Sequence, residues 1–207
     1  MSPVDFTELI AEEGARLGEL HAEVHRTFLQ RDRDVESRLD WERACDAFHS
    51  YGSRMDSYIE RACKQSRYSD RKLLEFVVCF LEVDPWFFRS GYLKQIFLTR
   101  LKRSDLDEAT QGRLRRVLLD IVDRRGTREF KHYCRLAAVI ADESLVSALE
   151  RARESTDGAV ADRARLMLGV ILQRQGRGIP IPYPRRSRWT RWWMLPEWQN
   201  RPPGRRE

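Results

Sequence analysis

Residues 69–103 read SDRKLLEFVVCFLEVDPWFFRSGYLKQIFLTRLKR. Leu73, Leu74, Val77, Val78 and Leu81 recur at helical spacing, which predicts a helix over 69–83. Asp84-Pro85 then pairs a capping residue with a first-turn proline, which predicts a second helix running from there through Arg103. On that second helix Trp86, Phe87, Phe88, Tyr92 and Phe97 fall at helical spacing and are expected in the core; a binding groove is the alternative.

The same grammar continues downstream. Asp105 with Glu108 has the form of a capping box and opens a helix to about Arg125. Gly126-Thr127 closes that helix and caps the next, Arg128–Ala141, and further helices are expected at Glu143–Glu154 and Gly158–Gln175. The six helices pair as 69–103, 105–141 and 143–175, with starts about 36 residues apart. Upstream, Phe6, Ile10, Glu13, Leu17, Leu20, Val24 and Thr27 alternate at spacings of four and three, as do Trp41, Cys45, Phe48, Gly52, Met55, Ile59 and Ala62. Two helices, 6–29 and 39–65, are predicted, with the charged stretch Arg31–Arg38 between them. An antiparallel hairpin is the natural result, and one continuous helix the alternative. Glu13, Thr27 and Gly52 are poor seam residues, which argues against a long coiled coil.

Asp157, Val160, Ala164 and Leu168 resemble the second helix of a HEAT-type repeat: an Asp cap, then Val, a small residue four on, and Leu. The basic residue usual after the Val is Ala161 here, with Arg163 the nearest basic side chain; Val160, Ala164 and Leu168 are expected to be buried, and Asp162 and Arg163 exposed. Phe88 and Tyr92, then Phe130 and Cys134, occupy the matching positions of the earlier pairs. The resemblance implies stacked helix pairs with an extended binding surface and no catalysis. The expected fold is therefore all-α: a helical hairpin (1–68), irregular HEAT-like pairs forming an α-solenoid (69–175), and an extended tail (176–207).

Charge is distributed unevenly. From Gly176 to Glu207 there are eight arginines and two glutamates, net +6, which equals the charge of the whole chain. Within the neutral remainder, residues 1–84 carry 12 basic and 18 acidic side chains, 85–135 carry 13 and 6, and 136–175 carry 5 and 6. The tail also holds four of the six tryptophans. Trp189, Trp192 and Trp193 fall at i, i+3, i+4 with Arg185, Arg186, Arg188 and Arg191 around them, and Trp198 follows. Arg and Trp dominate binding energy at protein contacts, so these residues form one candidate binding set. The same residues could instead grip phosphate and stack bases of a single strand, or sit at an anionic bilayer surface; the remaining reading folds the tail back onto the helices. A second candidate set is basic: Arg100, Lys102, Arg103, Arg124, Arg125, Arg128, Lys131 and Arg135, with Arg113, Arg115 and Arg116 nearby. Stacked helix pairs would gather many of them on one edge; the alternative is a solvated face threaded with acids.

The sequence narrows function mostly by exclusion. No nucleophile elbow, P-loop or dinucleotide fingerprint occurs, so no enzyme is expected. His21, His25, Asp46 and His49 fall short of a paired carboxylate–histidine metal set, and no metal or cofactor is expected. Cys45, Cys63, Cys79 and Cys134 form no CxxC pair and suit a reducing, cytoplasmic setting. No apolar run approaches ~20 residues, and no secretory signal is expected. The expected function is a non-enzymatic protein-binding module: an adaptor, inhibitor or immunity-type partner. Nucleic-acid binding is the alternative, an enzyme is a distant third, an anionic membrane surface is a less favoured partner than protein or nucleic acid, and the sequence sets no oligomeric state.

Overall fold

The computed structural model describes residues 5–124 and 128–177. Among them there are nine α-helices and no strand: α1 (Phe6–Phe28), α2 (Val35–Ser50), α3 (Asp56–Lys64), α4 (Arg71–Val83), α5 (Ser90–Leu101), α6 (Glu108–Arg124), α7 (Phe130–Ile140), α8 (Glu143–Ala152) and α9 (Gly158–Arg174). Aspartates set most of the starts. The carboxylates of Asp5, Asp34, Asp70, Asp142 and Asp157 each accept from one or two first-turn N–H groups. Asp107 accepts from Thr110 N at 2.8 Å in the same way. Each such cap contributes about 1 kcal/mol by satisfying a donor that the helix itself leaves unpaired.

The first two helices form an antiparallel hairpin. Phe28 meets Trp41 with ring centroids 6.2 Å apart, His21 meets Phe48 at 5.8 Å, and Glu13 accepts from Tyr51 Oη at 3.0 Å. Beyond the hairpin, α1 packs on α4, α4 on α6 and α6 on α8, while α3 packs on α5, α5 on α7 and α7 on α9. Phe97 of α5 packs edge-on against Phe76 and Phe80 of α4. One buried apolar cluster runs from Phe6 to Ile171. Helices α5 and α7 run in the same direction, since Tyr92 meets Arg128 near their starts and Thr99 meets His132 further on.

Several expectations fail where a distant group intervenes. The helix expected over 39–65 is broken between Ser50 and Asp56. There the buried Glu13 carboxylate accepts from Ser53 Oγ (2.7 Å), Arg54 N (3.3 Å) and Arg54 Nε (2.6 Å), which holds the link in a turn. Burial pushes the Glu13 pKa upward, but the hydrogen bonds from Arg54, Ser53 and Tyr51 outweigh it and hold the carboxyl below its ordinary range. Thr27, another of the poor seam residues, is buried with its hydroxyl donating to the Glu23 and Val24 carbonyls. Asp84 does not open a helix. It ends α4 in the left-handed region (φ 49°), and α5 starts only at Ser90. The cap before α6 is Asp107 rather than Asp105, and α7 begins at Phe130 rather than Arg128; Gly126 and Thr127 lie outside the described residues. Val160, Ala164 and Leu168 are buried, as expected for this helix. Arg163, expected to be exposed, is 5% exposed: its guanidinium donates to the Val122 and Asp123 carbonyls at 2.6 and 3.1 Å, satisfying the end of α6.

Candidate functional site

The segment between α4 and α5 carries the most unusual local structure. Two non-glycine residues, Asp84 (φ 49°) and Arg89 (φ 69°), stand in the left-handed region. Each costs about 1 kcal/mol or more, so the surroundings must hold them. Lys94 does so from the first turns of α5. Its side chain is 1% exposed, and Nζ donates to Asp84 Oδ1 at 2.6 Å and to the Pro85 carbonyl at 2.9 Å. Ser90 N donates to Phe87 O at 3.0 Å, and Phe87 N donates to Ser90 Oγ at 3.3 Å.

Held this way, the segment alternates inward and outward instead of turning as a helix. Pro85 is buried and Phe87 packs edge-on against Phe80, while Trp86 and Phe88 are 42% and 49% exposed. Tyr92, on the first turn of α5, is also 49% exposed. Of the aromatic set expected in the core, only Phe97 is fully buried and Phe87 half-buried. Two of the outward rings, Phe88 and Tyr92, are fixed by their neighbours. His21 stacks on Phe88 at 5.2 Å and Arg89 lies 5.1 Å from the same ring. Arg128 lies 4.3 Å over Tyr92 and also donates to its hydroxyl. Burial, then the charge of His25, lowers the His21 pKa, which favours the neutral ring in this stack.

Beside the rings lies an open depression of about 510 Å³, lined by Ala11, Gly14 and Ala15 of α1, residues 83–86, and Arg124. Small residues on α1 are what let the segment come so near. A Cβ on Gly14 would lie 2.9 Å from Pro85 Cβ. The groups gathered here are aromatic rings, guanidinium groups and small apolar side chains. Such groups offer a contact surface.

The structure scatters the basic candidates. Arg100 is half-buried and donates to the Cys63 carbonyl. Arg124 lines the depression, Arg128 clamps Tyr92, and Arg125 lies outside the described residues. Lys102, Arg103, Lys131 and Arg135 share the α5–α7 face, where Lys102 and Arg135 meet Arg174 of α9, a residue the sequence reading missed. Arg113 and Arg115 are held in the fold by Glu75 and Glu82, and by Glu108 and Asp142. All of the tail candidates, Arg185, Arg186, Arg188, Trp189, Arg191, Trp192, Trp193 and Trp198, lie outside the described residues. Among the described residues there is no group of three His, Cys, Asp or Glu side chains placed to hold a metal, and no helix long and apolar enough to cross a membrane.

Comparison with protein-family models, with curated proteins and with solved structures returns no match to this chain.

Proposed function

We propose that the chain is a non-enzymatic protein-binding module, of the adaptor, inhibitor or immunity type, built as irregular HEAT-like helix pairs behind an N-terminal hairpin. The packing order supports the repeat reading: α4, α6 and α8 follow one another on one side, and α5, α7 and α9 on the other. The observation that carries the binding reading is the outward pair Trp86 and Tyr92, with Phe88 between them and Arg89 and Arg128 on the rings. Trp, Tyr and Arg are the residue types that anchor protein contacts, and the Phe88 and Tyr92 rings, already held in place, lose little freedom on binding. The depression under Trp86 suits a projecting apolar side chain of the partner. The Arg/Trp tail is a second contact element in this reading.

A photoreactive amino acid at position 92, in the full chain expressed in its native host, tests the proposal. A protein adduct is expected at 92 and none when the same group replaces Glu150, an exposed residue of α8. Equal labelling from both positions contradicts the proposal.

A further inference from the structure

A second surface stands apart from the aromatic one. Lys102 and Arg103 follow the end of α5, Lys131 and Arg135 lie on α7, and Arg174 is the last residue of α9. None of the five makes an ion pair among the described residues, whereas Arg54, Arg61, Arg113, Arg115 and Arg165 all do. The reason is in the sequence. No acid occurs between Pro85 and Ser104, nor anywhere in α7, and the single acid of α9, Asp162, pairs with Arg165 towards the other end of the helix. Asp105 and Glu129, the nearest acids in sequence, form no ion pair with these cations among the described residues. Lys102, Arg135 and Arg174 border an open depression of about 380 Å³ floored by Ala138 and Val170. Their mutual repulsion registers on their neighbours. Burial and the charges of Arg135, Arg103 and Arg174 pull the Lys102 pKa down. Burial and then Lys131, Arg135 and Lys102 push His132 down to about 4.

We propose that this row, independently of the protein contact, is a binding site for the phosphate backbone of a single-stranded nucleic acid, engaged without sequence preference. Three neighbouring helix axes about 8–10 Å apart make the row about 16–20 Å long, enough for several phosphates rather than one. Its centre holds cations over two small side chains, with no large apolar anchor of the kind an acidic protein partner would need. A phosphate backbone needs only the cations, and the guanidinium forks of Arg103, Arg135 and Arg174 match phosphate oxygens in pairs. The chain also leaves α9 at Arg174, beside the row, and continues into a sequence with eight arginines and four tryptophans. Those are the residue types that grip a backbone and stack on unpaired bases.

The test uses the full chain and a fluorescent 20-nucleotide single strand of mixed sequence, with binding followed by anisotropy from 50 to 200 mM salt. Wild type binds, and the variant Lys102→Gln/Arg135→Gln/Arg174→Gln binds at least about tenfold more weakly with a log–log salt slope flatter by about 2, three lost contacts at ~0.7 each. Arg174→Gln alone, at an exposed helix end, flattens the slope by about 0.7 and serves if the triple variant misfolds. In wild type the His132 titration midpoint, followed by NMR, moves upward when the strand binds. Unchanged affinity and slope in the variants would overturn the proposal, as would absence of binding at 50 mM salt. Equal competition by polyglutamate of the same charge would also overturn it and assign the row to an acidic protein. A variant that loses the strand while keeping its protein adduct at position 92 separates this site from the aromatic one.

Discussion

Glu13→Gln tests how the hairpin is tied to the rest of the fold. The carboxylate is 4% exposed, and every one of its four partners is a donor: Tyr51 Oη, Ser53 Oγ, Arg54 N and Arg54 Nε. An amide keeps one acceptor oxygen and turns an NH₂ toward donors. Hydrogen bonds to a charged group contribute about 1.5–3 kcal/mol each, and the amide recovers part of that, so the net loss is about 3 kcal/mol. For a chain of this size that lowers Tm by about 6–12 °C. The pH dependence has a definite sign. The folded carboxyl titrates below its ordinary value, so its contribution is complete above the unfolded pKa and is lost as pH falls through the folded one. The Tm gap between wild type and variant, read by circular dichroism, is therefore constant from pH 7 to about 5 and narrows below about 4.3. A gap under about 2 °C at pH 7 refutes the assignment of the α2–α3 break to Glu13, and a gap that persists unchanged in acid refutes the charge argument.

Gly14→Ala places a methyl against Pro85 Cβ, so it lowers stability by about 1 kcal/mol, despite the gain of about 1 kcal/mol that Ala brings to an open helix; denaturant titration decides the sign. Arg163→Ala strips the Val122 and Asp123 carbonyls of their donor and costs about 2 kcal/mol by the same measurement, whereas Arg165→Ala, on the exposed side, costs under about 0.5. Val160→Asp buries a lone charge and destabilises by about 3 kcal/mol or more. Deleting 176–207 leaves the helical body folded and weakens partner binding; alanine at Trp189, Trp192 and Trp193 weakens it more than alanine at Arg185 and Arg186.

What the sequence reveals depends on how far away the deciding partner lies. Asp5 and Asp157 announce their helices because the N–H groups they accept from are two and three residues on. Asp84 has the same local look but is claimed by Lys94, ten residues away, so the helix expected at Pro85 starts only at Ser90. That one displacement also explains why Trp86 and Phe88 face outward: the helical spacing of the aromatics runs across residues that are not helical. Glu13 looked like a defect in a seam because its donors lie about 40 residues downstream. Arg163 looked like a surface cation because its acceptors belong to another helix. The Lys102–Arg135–Arg174 row was half visible, and the missing signal was present in the sequence: α5 and α7 contain no acid, and helices stacked side by side bring such stretches together.

The central claim is that Trp86 and Tyr92 anchor a protein partner. Calorimetric titration of the purified partner, once captured at position 92, into the full chain tests it most directly. Trp86→Ala and Tyr92→Ala are expected to weaken Kd about 30-fold or more each, about 2 kcal/mol, with melting unchanged, while Arg135→Gln leaves Kd within about twofold. Kd unchanged in both aromatic variants, with the complex still formed, contradicts the account.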